Sequence, residues 1–140
     1  MIGTITPGEA AGRAWDVLVA GAGPAGALAA RQLARRGRAV LLVEKQDLPR
    51  AKVCGACLNR NALAVLQRAG LGDLVFSLGG VPLTGLRLAG WGRAVRLPLP
   101  EGRGLSRRAL DAALVGAACE AGARLLPRTR ATLGTATGKG

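Results

Sequence analysis

A hexapeptide of small residues, Gly21-Ala22-Gly23-Pro24-Ala25-Gly26, constrains this chain more than any other feature. It joins the apolar run Trp15–Ala20 (W-D-V-L-V-A) to the Ala- and Leu-rich stretch Ala25–Arg36. A short β-branched run ending at glycine reads as a strand buried on both faces of a parallel sheet. The stretch after it reads as a helix. Gly37 stops that helix, and Arg35 and Arg36 suit its negative end. Ala39–Glu44 (A-V-L-L-V-E) then returns as a second buried strand, completing a β-α-β unit of about thirty residues.

In that setting each glycine has its own task. Gly21 permits the tight turn, Gly23 lets backbone approach a pyrophosphate, and Gly26 lets helix and sheet pack closely. The helix start, after Pro24 and from Ala25 on, offers N–H groups and partial positive charge to phosphates. Glu44 lies 18 residues after Gly26, at the end of the second strand. There its carboxylate can accept hydrogen bonds from both hydroxyls of an adenosine ribose. The pattern fits a dinucleotide and does not by itself separate NAD from FAD. A 2′-phosphate would be repelled by Glu44, which disfavours NADP at this site.

Residues 1–14 form a polar, Gly-containing leader, expected to be disordered. Gln46–Ala56 is a loop carrying Pro49 and Gly55. Asn59–Ala69 reads as a helix with Ala62, Leu63 and Leu66 near one face, ended by Gly70. Pro82–Pro100 reads as two strands around Gly90-Trp91-Gly92. Leu86 and Leu88 alternate with Arg87, and Val95 and Leu97 flank Arg96, which suits an antiparallel pair with one face exposed. Ser106 can cap a third helix, Arg107–Ala121, ended by Gly122. Arg124–Pro127 is a further strand candidate, and 131–140 an irregular tail with no element to close the fold. The expected fold class is α/β: a three-layer Rossmann-like nucleotide-binding domain over 15–130, with a parallel sheet, helices and an antiparallel excursion, incomplete at its end.

Composition narrows the function. The 140 residues contain no histidine, which removes histidine bases and histidine metal sites; no metal is expected. The net charge of +12 raises the question of nucleic acid. The arginines are scattered, and two Trp and one Phe are too few for a base-stacking platform, so no nucleic-acid partner is expected. The start resembles no signal peptide, and no apolar run approaches a membrane span. Three cysteines do not make a secreted disulfide framework. The expected compartment is the cytoplasm.

Three stretches together resemble the flavoprotein family that contains p-hydroxybenzoate hydroxylase, the geranylgeranyl reductases and the flavin-dependent halogenases. The first is D-V-L-V-A-G-A-G-P-A-G with the later V-E-K, Asp16 to Lys45. The second is K-V-C-G-A-C-L-N-R-N-A-L-A-V-L-Q-R-A-G-L, Lys52 to Leu71, similar to the Cys-Gly loop and helix of the geranylgeranyl reductase branch. The third is S-R-R-A-L-D-A-A-L, Ser106 to Leu114, similar to the family's R-x-x-L-x-x-x-L helix. The resemblance implies FAD, extended along Gly21–Gly26, with Glu44 and its neighbour Lys45 at the adenosine end. It implies that Lys52 and the Cys54-Gly55 backbone lie toward the flavin, and that Arg107 reaches the cofactor. The other reading of Arg107 is a solvent-facing side chain paired with Asp111, four residues on.

The family's members continue into a substrate-binding sheet and a later Gly-Asp motif, neither visible here. The resemblance therefore implies the FAD-binding portion of an oxidoreductase, reductase-like or monooxygenase-like, inactive as this chain alone. NAD(P)H would be the reductant and a small molecule the substrate of the full enzyme. Self-association through exposed apolar surface is expected. No residue stands out as a general acid or base.

Cys54-Gly55-Ala56-Cys57 is also a C-x-x-C and admits a redox dithiol. In the register of the disulfide-reductase flavoproteins Cys57 would be the first cysteine, but the second would fall at Ala62. Cys119, among alanines in the third helix, reads as a small core residue. Two other functions therefore stand beside the oxidoreductase reading: a nucleotide-binding module without turnover, and a thiol-redox flavoprotein using Cys54 and Cys57.

Overall fold

The computed structural model describes residues 3–134, which form two compact units. One contains the residues up to Arg50 and those from Leu114 onward; the other is Ala51–Ala113.

The first unit is built on a parallel sheet. Strand β1 (Val17–Ala20) pairs with β2 (Val40–Val43), and β2 pairs with β8 (Arg124–Leu126), giving the order β1-β2-β8. Val19 lies opposite Leu42, and Leu42 opposite Leu125. All of β2 is buried, as its unbroken apolar run requires of a central strand. The same expectation fails for β1. Its burial alternates, and Leu18 is 55% exposed, because β1 is an edge strand.

Helix α2 (Pro24–Ala34) follows β1 and presents Ala27, Ala30 and Ala34 to the interior. A Cβ on Gly26 would stand 3.4 Å from Val19 Cγ1, so α2 covers the sheet face of Val19 and Leu42. Leu41 and Val43 point to the opposite face. There they cluster with Ala10 and Leu126, and Ile5 and Trp15 pack against them. Ala10 belongs to helix α1 (Pro7–Ala11). The sheet thus lies between helices, in the three layers expected. Leu114, Val115 and Ala118, from the second half of α5 (Arg107–Glu120), are core residues of this unit.

The expected disordered leader is corrected over its described part. Thr6 caps α1, and a reciprocal pair closes the cap: Glu9 N–H donates to Thr6 Oγ1 at 3.3 Å, and Thr6 N–H to Glu9 Oε2 at 2.7 Å. Pro7 stands at the first helical position, where its missing N–H costs nothing. Thr4 bridges to Leu125 in parallel, with Ile5 N–H donating to the Leu125 carbonyl at 2.9 Å. Trp15 Nε1–H donates to the Ala10 carbonyl at 2.9 Å. The expected tail has no helix or strand over 131–134, and residues 135–140 lie outside the described residues.

In the second unit β3 (Cys57–Asn59) pairs antiparallel with β7 (Gly102–Gly104), which also pairs with β4 (Val81–Pro82). Helix α3 (Arg60–Arg68) begins where Asn59 Oδ1 accepts Ala62 N–H at 2.9 Å, and a single turn, α4 (Leu74–Ser77), buries Val75. The antiparallel excursion is a hairpin of β5 (Gly85–Gly90) and β6 (Arg93–Pro98). Trp91 and Gly92 at its tip have φ of 47° and 73°, the two positive values of a twisted two-residue turn. One face was expected to be buried. Leu86, Leu88, Val95 and Leu97 share a face and are all at least 44% exposed. Pairing fixed the register, while burial needs a covering layer that a two-stranded sheet does not supply.

Candidate functional site

The predicted phosphate turn is stretched between β1 and α2. Gly21 has φ +101°, a conformation that needs glycine, and its N–H donates to the Val43 carbonyl at 2.7 Å. Gly26 is required for a different reason: a Cβ there would run into the Gly21 carbonyl oxygen. Gly23 is the N-cap of α2, with an ordinary extended backbone (φ −77°, ψ −179°). Its contribution is to add no side-chain cap, so the first turn of α2 keeps donors that a side chain would otherwise occupy. Pro24 has no N–H to offer, which leaves Ala25 and Gly26 as the forward donors of that turn.

Glu44 closes the turn from behind. Its backbone is fixed on both sides, its N–H donating to the Leu126 carbonyl at 3.0 Å and its carbonyl accepting Thr129 N–H at 2.9 Å. The residue is 4% exposed. Oε2 accepts Ala22 N–H at 2.8 Å, Oε1 accepts Gln46 N–H at 3.2 Å, and Arg50 Nη2 lies 3.5 Å from Oε2. Ala22 is fully buried. The carboxylate is thus the tie that holds the glycine turn to the end of β2. Lys45, the next residue, is exposed. Arg50 carries no signal in the sequence that marks it for this site. No spacing rule places a loop residue six positions past an acid, and its partner emerges only when the Gln46–Arg50 loop folds back.

The remaining predicted residues belong to the second unit. Lys52, Cys54 and Gly55 are exposed in the segment 51–56, which has no helix or strand. Arg107 meets Asp111 through Nε–Oδ1 at 2.7 Å and Nη2–Oδ2 at 3.5 Å, a forked pair across one helical turn. Its side chain is 22% exposed and that of Asp111 only 1%. The pairing of the second reading is therefore present, but the arginine is not the solvent-facing one that reading assumed. Asp111 raises the Arg107 guanidinium above its ordinary pKa. The Ala56 N–H, and after it Arg107, hold the Cys54 thiol below the usual thiol range. Within the first unit the fold brings together Gly21–Gly26, Glu44 and Arg50; within the second it brings together Cys54, Arg107 and Asp111.

An FAD fits the first group on three counts: a glycine at positive φ, a close approach that excludes a Cβ at Gly26, and a helix start without a side-chain cap. No helix among the described residues is long and apolar enough to cross a membrane.

Residues 14–133 match the family model described as FAD binding domain. The menaquinone reductase of Mycolicibacterium smegmatis is 36% identical over 121 residues, which is 82% of this chain and 29% of that protein. The digeranylgeranylglycerophospholipid reductase of Methanosarcina mazei is 35% identical over 127 residues, 84% of this chain and 30% of that protein. The solved structure of a geranylgeranyl bacteriochlorophyll reductase-like protein from Thermoplasma acidophilum superimposes with a TM-score of 0.66 at 28% identity, covering 81% of this chain and 30% of the other. The chain spans about 30% of the length of these relatives. With a family match across nearly all of its length, the chain belongs to the FAD binding domain family.

Proposed function

We propose that this chain holds FAD for a longer oxidoreductase that reduces an isoprenoid-bearing quinone or lipid. The observation that carries the reading is the Gly21–Gly26 turn tied down by Glu44, inside a chain whose residues 14–133 match an FAD binding domain. The substrate class rests on the menaquinone reductase and digeranylgeranylglycerophospholipid reductase relatives. NAD(P)H as reductant and the cytoplasm as compartment belong to the same proposal.

Gly21, Gly23, Pro24, Ala25 and Gly26 receive the pyrophosphate, with Ala25 and Gly26 N–H as donors and the α2 dipole supplying positive potential. Glu44, held by Ala22 and Arg50 at Oε2 and by Gln46 at Oε1, retains acceptor capacity on Oε1 for the adenosine ribose. Lys45 adds positive charge beside it. Lys52 and the Cys54-Gly55 backbone face the flavin side, and Arg107, oriented by Asp111, is a cofactor contact. Bound FAD supplies the hydride chemistry; the chain supplies position and electrostatics.

A monooxygenase reading is the second one. It is supported by the squalene monooxygenase of Candida glabrata, 30% identical over 86 residues. The two readings separate on oxygen. A reductase consumes NAD(P)H with substrate under anaerobic conditions, whereas a monooxygenase requires oxygen. The prior experiment is mass analysis of the nucleotide released from purified protein. FAD is expected, and NAD alone would reject the assignment.

A further inference from the structure

The FAD reading makes use of the backbone at Cys54 and Gly55 but of neither thiol. Both Cys54 and Cys57 are exposed and free, with two residues between them. Their surroundings differ in a way that suits consecutive roles. Cys57 is fixed: it opens β3, pairs with Gly104, and its Sγ donates to the Gly55 carbonyl at 2.9 Å. The Ala56 carbonyl before it accepts Leu105 N–H at 2.8 Å. Cys54 lies before Cys57 in a segment without helix or strand, its sulfur accepting hydrogen bonds from the Ala56 N–H and Arg107. Arg107, locked by its fork to the buried Asp111, is hydrogen-bonded to the Cys54 sulfur. A thiol anchored in a strand, an exposed thiol outside any strand and a pinned cation beside it suit a dithiol in which one sulfur attacks and the other resolves.

We propose that Cys54 and Cys57 form a reversible disulfide by exchange with low-molecular-weight disulfides, with Cys54 as the attacking and Cys57 as the resolving thiol. The Cys54 thiolate attacks one sulfur of the small disulfide, forming a mixed disulfide and releasing one thiolate. Cys57 then gives up its proton, its sulfur attacks Cys54 Sγ, and the second small thiolate leaves. Two protein thiols are oxidised and one small disulfide is reduced to two thiols. Arg107 is a positioning residue that favours the thiolate of Cys54, in agreement with the lowered pKa of that thiol. The closed ring constrains residues 54–57. The exchange requires no flavin, so it stands or falls separately from the cofactor assignment.

The test uses the whole chain with oxidised glutathione at neutral pH, quenched by acid and digested with trypsin. Cleavage after Lys52 and Arg60 leaves both cysteines on one peptide, Val53–Arg60. That peptide should become two hydrogens lighter and revert with a reductant. In Cys57→Ser it should instead accumulate one glutathione on Cys54, and in Cys54→Ser the reaction should be lost on the same timescale. Arg107→Ala should slow the first step about threefold, because thiolate fraction falls faster than nucleophilicity rises. Arg107→Lys should restore most of the rate. Cys119, half-buried and with its thiol pushed up by burial, is the internal control and should stay unmodified. Separate glutathione adducts on Cys54 and Cys57 without a ring would overturn the proposal. So would equal reaction rates for Cys54 and an unstructured peptide thiol, a readout that holds even where the Arg107 variants fail to fold.

Discussion

Replacing Glu44 separates two roles that the same carboxylate carries. In the free chain it accepts a hydrogen bond from Ala22 N–H, a donor with no solvent access, at 2.8 Å and faces Arg50 at 3.5 Å. Glu44→Ala strands the Ala22 donor, at about 1–3 kcal/mol. It also takes this carboxylate from an arginine whose side chain is 11% exposed. Breaking a fully buried pair costs about 3–5 kcal/mol, and Arg50 reaches solvent enough to reduce that share to about 1. The expected loss is therefore about 2–4 kcal/mol, a large part of a typical domain's stability. Glu44→Gln keeps an acceptor for Ala22 and should lose only about 1–2 kcal/mol. Urea unfolding without ligand reads this term. The ribose term is read by repeating the measurement in excess FAD, where a ligand at a hundred times its Kd adds about 2.7 kcal/mol. A carboxylate that also holds the ribose makes that increment smaller in both variants. An alanine variant within about 0.5 kcal/mol of the parent chain would refute the claim that Glu44 ties the turn. An unchanged FAD increment would refute its ribose role.

Further expectations follow from the same geometry. Gly26→Ala should destabilise by about 1–3 kcal/mol, since the new Cβ meets backbone and not a movable side chain, and should weaken FAD binding; calorimetry with FAD checks both. Gly23→Val should abolish FAD binding while leaving helix content by circular dichroism nearly unchanged, because its backbone is one any residue adopts. The Glu9 carboxyl is held below the usual carboxylate range by the Thr6 N–H and then its hydroxyl. The sign follows from that depression: the cap is fully present above the ordinary carboxylate pKa and is lost as pH falls through the lower folded value, so Thr6 amide exchange should quicken only in that acid window. The exposed face of Leu86, Leu88, Val95 and Leu97 should drive self-association; Leu88→Lys with Val95→Lys should shift sedimentation toward monomer, and unchanged sedimentation would locate the contact elsewhere.

What the sequence disclosed, and what it did not, divides by the range of the interaction. The β-α-β unit was legible because its signals are local: Gly21 at positive φ, Gly26 under a carbonyl, and an apolar run in β2 that the central strand buries throughout. Helix α1 carried an equally local signal, Thr6 with Pro7 next and Glu9 three residues on, yet the polar, Gly-containing composition of the leader concealed it. The pairing of Arg107 with Asp111 was readable from their spacing, but its burial was not weighed. Position 111 stands three, four and seven residues before Leu114, Val115 and Ala118, so the acid lies on the buried stripe of α5. A carboxylate on that stripe needs a cation, which makes Arg107 an orienting pair and not a surface one. Arg50 left no such trace, since its contact with Glu44 depends on how a whole loop returns.

The hairpin shows the same limit from the other direction. The alternation of leucine with arginine specified which residues share a face, and the pairing of Leu88 with Val95 and of Arg87 with Arg96 follows it residue for residue. Like charges directly opposite, as in Arg87 and Arg96, oppose the pairing slightly, by a few tenths of a kcal/mol. What stabilises a hairpin against that repulsion and against chain entropy is burial of its apolar face. Alternation therefore encodes a demand for burial, and the demand is met only where another layer lies over the face. In this chain Leu86, Leu88, Val95 and Leu97 carry the demand unmet, whereas Leu41 and Val43 have theirs met by Ala10, Ile5 and Trp15. The contrast locates the chain's spare binding energy on the hairpin, while β2 and its neighbours already hold theirs within the fold.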